Sequence, residues 1–232
     1  MFRKKILCTL TIILGSVTLL WAGDTAVFAD LGFSPDGKTY MFAQYGVHSD
    51  TLKPWAELFV VDVARNNFVP EGKVSYVHNS PVTTGQDGSG ALYRILSKNV
   101  HLADQYKVDF LFQGQPLYLS LDEPLSAVRE NVEFRDFETG TVYSASVISG
   151  TEGSGAALKS SFYIDLERAA KNSSLKTYRV GTPQVKRPGV VSYRIRKVVI
   201  APHDGSMIFV IEMKKQNGSS YDIRYMVEAL KL

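Results

Sequence analysis

The chain has 232 residues, of which 45% are hydrophobic and 21% charged, with a formal net charge of +3 and one cysteine. This length suits one domain with a sizeable core, and the composition excludes disordered, collagen-like and multi-span membrane proteins. A single cysteine also excludes a framework of internal disulfides.

The first 22 residues are predicted to be a cleaved signal peptide. A basic triplet at 3–5 precedes an apolar run of 17 residues from Ile6 to Ala22, which is the order of segments in a secretory signal. An uncleaved anchor is the alternative, although this run is at the short limit for a membrane span. Because Cys8 lies inside the run, the mature chain would contain no cysteine and no thiol chemistry. An extracytoplasmic location, periplasmic or secreted, is therefore expected in a bacterium.

Most of the chain after residue 22 is predicted to form antiparallel β-hairpins. Runs of β-branched and aromatic residues favour strands, and the Pro, Asp, Gly and Asn residues between them favour turns. Ser34-Pro35-Asp36-Gly37 and Asn66-Asn67 are two such turns. The strands predicted in this way lie at Thr39–Tyr45, Glu57–Val63, Val132–Phe137 and Thr141–Ile148.

One main α-helix is predicted near residues 89–106. Its apolar residues from Leu92 to Ala103 recur at helical spacing, and Asn99 allows a break within it. A second, short helix is predicted at Leu166–Lys171. The Gly/Ser-rich stretch from Ile148 to Ser161 is predicted to be an exposed loop.

The clearest hairpin is predicted at the C-terminus, where Met207–Met213 and Tyr221–Val227 flank the turn-forming pair Asn217-Gly218. Successive side chains of a strand point to opposite faces of the sheet, so the second strand has one apolar and one polar face. A half-buried antiparallel sheet is therefore expected. The apolar face carries Tyr221, Ile223, Tyr225 and Val227, and the polar face carries Asp222, Arg224 and Glu228.

The two ends of the chain share a local pattern. Phe33–Phe42 (FSPDGKTYMF) and Ile200–Phe209 (IAPHDGSMIF) each place a Pro…Asp-Gly turn before an apolar strand. This pattern resembles the inner hairpin of a β-propeller blade, as in WD40-type and TolB-like repeats. The alternative is two unrelated hairpins that share a favoured turn chemistry. The expected architecture is a single mainly-β domain over residues 23–232, built as a propeller or as a sandwich.

Three segments carry a resemblance that extends over essentially the full mature chain. They are Gly23–Val47 (GDTAVFADLGFSPDGKTYMFAQYGV), Gly88–Leu96 (GSGALYRIL) and Phe112–Tyr118 (FQGQPLY). With these segments the sequence resembles a bacterial family of predicted secreted proteins that contain a domain of unknown function. The resemblance implies export and a shared fold, and it supplies no catalytic motif.

No catalytic residue, metal site or cofactor is predicted from motifs. The four histidines are far apart and lack the spacing of a helix-borne metal site, so each is expected in a turn or at the surface. Both Gly-Ser-Gly triplets lack the G-x-S-x-G pattern of a nucleophile elbow. Aspartates in Pro…Asp-Gly turns are expected to bond their own backbone. The residues weighed in this way are His48, His78, His101, His203, Ser89, Ser154, Asp36 and Asp204.

Charge is divided unevenly along the chain. Residues 23–158 carry 9 basic and 17 acidic side chains, whereas residues 159–232 carry 14 basic and 6 acidic ones. Nine basic residues and no acidic residue lie in the stretch 168–197. This stretch either binds an anionic partner or neutralises the acidic half of its own fold.

The strand predicted around Tyr193 suggests how such a binding surface is made. If Tyr193 and Ile195 face a core, then Arg194 and Arg196 project together from the opposite face. Guanidinium groups in pairs suit carboxylate and phosphate groups. The candidate anion- or partner-binding residues are Lys186, Arg187, Arg194, Arg196 and Lys197.

These observations favour an exported cell-envelope protein that acts as a non-catalytic binding or scaffolding module. Its expected partner is an envelope protein or an anionic envelope component, not a nucleic acid, with no transmembrane span after signal cleavage. An exposed Trp55 and the Tyr/Arg-rich C-terminal strands would suit a protein interface. Two alternatives stay open: an envelope hydrolase whose site assembles only in the fold, and a peripheral binder of anionic membrane or polymer through residues 168–197.

Overall fold

A computed structural model describes residues 23–120, 131–171, 173–202 and 204–232. The predicted signal peptide at 1–22 lies outside the described residues, and so does His203. Among the helices that are described, none has the length and apolar character needed to cross a membrane.

The described chain is mainly β-structure with antiparallel pairing between its strands, as the sequence predicts. Its helices are α1 (Ser89–Lys98) and α2 (Val100–Gln105). Its strands are β1 (Val27–Phe33), β2 (Thr39–Val47), β3 (Pro54–Asp62), β4 (Asn67–Val77), β5 (Gln115–Leu119), β6 (Asn131–Arg135), β7 (Val142–Glu152), β8 (Lys159–Ala169), β9 (Lys176–Val180), β10 (Arg187–Pro188), β11 (Val190–Ile200), β12 (Met207–Asn217) and β13 (Ser220–Leu230).

The strands form three sheets. The N-terminal sheet has the order β1-β2-β3-β4, and the central sheet has the order β13-β12-β11-β5. The outer sheet has the order β10-β8-β7-β6, with β9 also paired to β8. The Asn66-Asn67 and Asn217-Gly218 turns lie where the sequence predicts them, between β3 and β4 and between β12 and β13.

The central sheet is packed on both faces, because consecutive residues of β12 are buried in two different cores. Ile208 and Val210 belong to a core shared with aromatic residues of the N-terminal sheet, among them Phe42. Phe209 and Ile211 belong to a core shared with the outer sheet. The three sheets therefore stack as a sandwich, which is one of the two expected architectures. The prediction of a half-buried C-terminal sheet is wrong for the same reason.

The predicted main helix is confirmed as α1 and α2. The break falls at Asn99, whose side-chain Nδ2 donates to the carbonyl of Ile95 at 2.7 Å and competes with the helical backbone pattern. Leu92, Ile95 and Leu102 pack on the face of the N-terminal sheet that points away from the central sheet. The helices therefore form the fourth layer of the stack.

Two predictions in the middle of the chain are wrong. The predicted helix at Leu166–Lys171 and most of the predicted loop at Ile148–Ser161 are parts of β7 and β8. Phe162, Ile164 and Leu166 alternate into the core at the period of a strand. Pairing of β8 with β7 on one side and with β9 on the other overrides the local helical and flexible tendencies.

The two matching turns pack against each other. Gly37 has a φ of +69°, and a side chain added there would lie 3.1 Å from the Asp204 carboxylate. Asp36 accepts from Ser34 Oγ, from the Lys38 ammonium and from the backbone N–H of Lys38, and these contacts lower its pKa to about 2. The Asp204 carboxylate accepts from the backbone and hydroxyl of Ser206. Both aspartates therefore bond their own turns, as expected.

Candidate functional site

The fold separates the five predicted cations into two groups. Arg187 is the first residue of β10, an edge strand of the outer sheet, and Lys186 directly precedes it. Arg194, Arg196 and Lys197 lie on β11 of the central sheet and line one cleft. Only the second group therefore converges on a common surface.

We call this surface the basic cleft. It has a volume of about 640 Å³ and lies between edge strand β1 and strands β11, β12 and β13 of the central sheet. These three strands are each 11 residues long, whereas β1 has seven residues. The lining consists of Thr25, Ala26, Val27, Phe28, Asp30, Leu119, Arg194, Arg196, Lys197, Val210, Glu212, Ile223 and Tyr225.

A β-bulge brings the three cations together. Tyr193 and Ile195 are buried toward the outer sheet, so Arg194 points to the opposite side, as the sequence predicts. The register of β11 against β12 shifts between Ile195 and Lys197. The extra residue, Arg196, and the following Lys197 therefore both reach the cleft.

The cleft holds two ion pairs. Arg194 Nη2 donates to Glu212 Oε1 at 2.6 Å, and Lys197 Nζ donates to Asp30 Oδ2 at 2.7 Å. The Tyr225 hydroxyl donates to Glu212 Oε2 at 3.4 Å, and burial together with the Glu212 charge raises the pKa of Tyr225. Three cations and two carboxylates thus line the cleft.

The ion pairs of the basic cleft are incompletely hydrogen-bonded. Asp30 Oδ1 and Arg194 Nε are buried without a hydrogen-bond partner among the described residues. Most buried polar atoms in folded proteins are paired, and an unpaired one costs free energy. The ion pairs of the cleft are therefore less stabilising than ion pairs in which every buried polar atom has a hydrogen-bond partner.

Lys186 and Arg187 lie in a different environment. Lys186 Nζ donates to Glu152 Oε1 at 2.5 Å on the surface. Arg187 stacks over the Phe162 ring at 4.9 Å, and its Nη2 is 3.4 Å from Glu228 Oε1. Both cations are thus held by carboxylates outside the basic cleft.

Glu228 is buried beside Arg187, with its side chain 5% exposed. Its Oε2 accepts from Asn66 Nδ2 at 2.5 Å. Burial raises the pKa of Glu228 above its ordinary value, although Asn66 and Arg187 oppose the shift. A cavity of about 420 Å³ opens next to this carboxylate. The sequence placed Glu228 on a polar face and did not predict its burial.

A second buried carboxylate, Asp24, organises a set of contacts that the sequence did not reveal. Ser49 N–H donates to Asp24 Oδ1 at 2.6 Å, while Arg224 Nη2 donates to Oδ2 at 3.0 Å. His48 Nδ1 lies 2.7 Å from the same Oδ2. Burial alone raises the pKa of Asp24, but these hydrogen bonds outweigh it and hold the pKa below its ordinary value.

Trp55 completes this Asp24 cluster (Asp24, His48, Ser49, Trp55 and Arg224). The prediction that Trp55 is exposed is wrong, since only 4% of the residue is exposed. The Arg224 guanidinium lies 4.3 Å from its ring and the His48 ring stacks on it at 5.8 Å. Trp55 therefore packs inside the fold and is not an anchor for a partner.

Another cavity lies away from the basic cleft and is lined mainly by a loop. It measures about 880 Å³ and is bounded by the end of β4, the 78–87 segment and the first turns of α1. Ser89 in the first Gly-Ser-Gly triplet donates its hydroxyl to Asp87, so this triplet begins a helix as expected. No group of three His, Cys, Asp or Glu residues suited to a metal ion occurs within the described ranges.

One comparison with known proteins gives a match. The family model described as "Predicted secreted protein (DUF2259)" matches residues 41–231. This range runs from β2 to the end of β13 and includes the three cations of the basic cleft. No curated protein and no solved structure matches the chain.

Proposed function

The chain belongs to the DUF2259 family of predicted secreted proteins, and from this premise we propose that it is an extracytoplasmic binding module that holds an acidic ligand in the basic cleft. The observation that carries the proposal is the convergence of Arg194, Arg196 and Lys197 on one concave surface. A volume of about 640 Å³ is within the range of ligand sites in proteins. The surface location suits a partner in the cell envelope.

Neutralisation within the fold accounts for part of the charge pattern. Lys197–Asp30 and Lys186–Glu152 join the basic half of the chain to its acidic half. The lining of the basic cleft contains three cations and two carboxylates. An acidic group entering the cleft would lie close to all three cations, and the low local dielectric of a concave site strengthens such contacts.

The lining favours binding over hydrolysis. Its carboxylates, Asp30 and Glu212, are each bound to a cation. Each carboxylate is therefore engaged as the partner of a cation in the lining. Thr25 and Tyr225 supply the hydroxyl groups of the lining. The same groups are well suited to orient an acidic ligand.

The proposal is tested with poly-L-glutamate as the probe and fluorescence anisotropy as the readout. The cleft variant Arg196→Glu/Lys197→Glu is compared with Lys171→Glu/Lys176→Glu, which changes net charge equally at exposed positions outside the cleft. We expect the cleft variant to lose at least about tenfold in affinity, and the control to stay within about twofold of the unmodified protein.

Two results would contradict the proposal. Equal losses in the two variants would show that net charge, and not the cleft, determines binding. An unmodified protein that ignores polyglutamate and equally ignores vesicles containing phosphatidylglycerol would also count against an acidic ligand. Vesicle binding that survives in the cleft variant would instead support the peripheral membrane alternative.

A further inference from the structure

The cavity of about 880 Å³ beside α1, outside the basic cleft, is walled by a loop that the fold holds in place. Val82 N–H donates to the Leu52 carbonyl at 2.8 Å, which ties the 78–87 segment to the β2–β3 connection. Thr83 N–H donates to the Gln86 side chain at 2.9 Å. Ligand sites in proteins have volumes in this range and are usually formed before the ligand binds. This cavity therefore has the size and the fixed walls of a binding site.

One side of α1 brings an acid and a base to this cavity. Asp87 lies one residue before the N-cap of α1, and Arg94 lies about two turns further along. Between them, α1 contributes Gly90 and Ala91 to the lining, and neither has a bulky side chain. Long side chains of a helix lean toward its N-terminus, so Arg94 leans toward Asp87. A carboxylate and a guanidinium therefore border one open space.

Both charged groups keep hydrogen-bonding capacity that the fold does not use. Asp87 Oδ1 accepts from the hydroxyl of Ser89 at 2.6 Å and from its backbone N–H at 3.0 Å, and these bonds lower the pKa of Asp87. Its Oδ2 and the Arg94 guanidinium form no hydrogen bond or ion pair with any residue that the structure describes. The cavity therefore offers a negative and a positive group that a ligand can reach.

Uncharged polar groups line another wall of the cavity. Tyr76 lies near the end of β4 and His78 follows two residues later, so both side chains point to the same side of the strand. Their rings meet edge to face at 6.3 Å. His78 Nδ1 contacts the backbone of Ser80, which leaves its Nε2 for a ligand. Hydroxyl and imidazole groups can bond to amides, so this wall suits the backbone of a peptide.

We propose that this cavity is a second ligand site, which binds a short peptide through both of its charged ends: the peptide carboxylate pairs with Arg94 and the peptide ammonium pairs with Asp87. Both pairs are charge-assisted hydrogen bonds. A simple anion or a simple cation would meet the like charge of Asp87 or Arg94. Seven residues of a helix rise about 10 Å, and an extended tripeptide has about the same length. This site does not depend on the basic cleft.

The first test uses trialanine and two blocked forms, N-acetyl-trialanine and trialanine amide, in isothermal titration calorimetry. We expect each blocked form to bind at least about tenfold more weakly than trialanine, because each lacks one of the two charges. Affinities within about twofold for all three peptides, or no measurable binding of trialanine, would overturn the inference. A loss in only one blocked form would show a receptor for a single charge and would also contradict it.

Two substitutions connect each end of the peptide to its residue. Arg94→Gln should bind trialanine and its amide within about twofold of each other, while its preference for a free ammonium remains. Asp87→Asn, which can still accept from Ser89, should bind trialanine and its acetylated form equally. The control Lys171→Gln, at an exposed position outside the cavity, should keep both preferences. If either cavity variant also kept both preferences, the assignment would be wrong.

A further variant fills the cavity without removing a charge. A side chain added at Gly90 would meet no atom within 4 Å, and leucine is a better helix former than glycine. We expect Gly90→Leu to keep or raise the melting temperature and to lose at least about tenfold in trialanine affinity. Gly150 on β7 has similarly open surroundings outside the cavity, so Gly150→Leu is the matched control and should stay within about twofold. Unchanged trialanine binding by a folded Gly90→Leu protein would contradict the site.

Discussion

Asp24 and Asp30 are carboxylates of the same chain segment, one just before β1 and one within it, and each binds a cation of the central sheet. Asp24 has hydrogen-bond partners on both oxygens, including Arg224, Ser49 and His48. Asp30 binds Lys197 through Oδ2 only, and its Oδ1 has no partner within the described ranges. Both carboxylate oxygens are therefore hydrogen-bonded in the Asp24 cluster, whereas only one is hydrogen-bonded in the Asp30–Lys197 pair of the basic cleft.

The comparison teaches that burial alone does not decide what an ionic group does. A buried pair stabilises a fold only when further hydrogen bonds compensate the loss of hydration. Asp24 meets this condition and joins the segment before β1 to β13 and to the β2–β3 connection. The basic cleft does not meet it, so its groups are better placed to respond to a ligand than to hold the fold.

The largest effect is expected from Asp24→Ala. This change leaves Arg224 with the more distant Asp222 as its carboxylate partner and leaves Ser49 N–H without an acceptor, which should lower the free energy of unfolding by about 3 kcal/mol. Urea denaturation measures the loss, with Asp50→Ala as the exposed control on the same connection. Comparable losses in the two variants would contradict the structural role of Asp24.

Acid titration separates Asp24 from Glu228. The folded-state pKa of Asp24 is lowered from 3.8, so its stabilisation is complete above that value and disappears as pH falls through the lower folded pKa. The folded-state pKa of Glu228 is raised from 4.5, so its contribution is complete below 4.5 and disappears as pH rises through the folded value.

Two variants check these opposite signs by denaturation at several pH values. Asp24→Asn should remove a loss of stability below pH 3.8, and Glu228→Gln should remove a loss that begins above pH 4.5. The account would be contradicted if the free energy of unfolding changed with pH in the same direction for both residues. It would also be contradicted if neither substitution altered the pH dependence of stability.

A smaller effect on stability is expected from Lys197→Met. The Lys197–Asp30 pair has one unsatisfied carboxylate oxygen, and its loss should cost about 1 kcal/mol. Polyglutamate affinity should fall in the same variant, whereas Asp24→Ala should leave it unchanged at temperatures where that protein is folded. A stability loss as large as that of Asp24→Ala would remove the distinction between the two carboxylates.

Local patterns in the sequence predict the hairpins well. The Asn-Gly and Pro-Asp-Gly turns, the helix with its break at Asn99, and the shared direction of Arg194 and Arg196 follow from turn chemistry and alternation. The bulge that brings Lys197 to the same side depends on pairing with β12 and has no local signal. The helix and loop predictions for β8 are wrong because its conformation depends on pairing with β7 and β9, which are distant in sequence.

The Asp24 cluster shows why part of the site was missed. Asp24, His48 and Arg224 are distant in sequence and meet only because β1, the β2–β3 connection and β13 come together. Trp55 was expected at the surface since nothing near it in sequence predicts that Arg224 and His48 cover its ring. Long-range packing, and not residue type, decides both cases.

Mapping the contact surface by NMR tests the central claim most directly. Isotope-labelled protein is titrated with poly-L-glutamate, and the backbone amide shifts are followed. The account predicts changes concentrated at Val27–Leu31 and Arg194–Lys197, with the Asp24 cluster unaffected. Changes concentrated around Lys186, Arg187 and Glu228, or scattered over the basic stretch at 168–197, would contradict it.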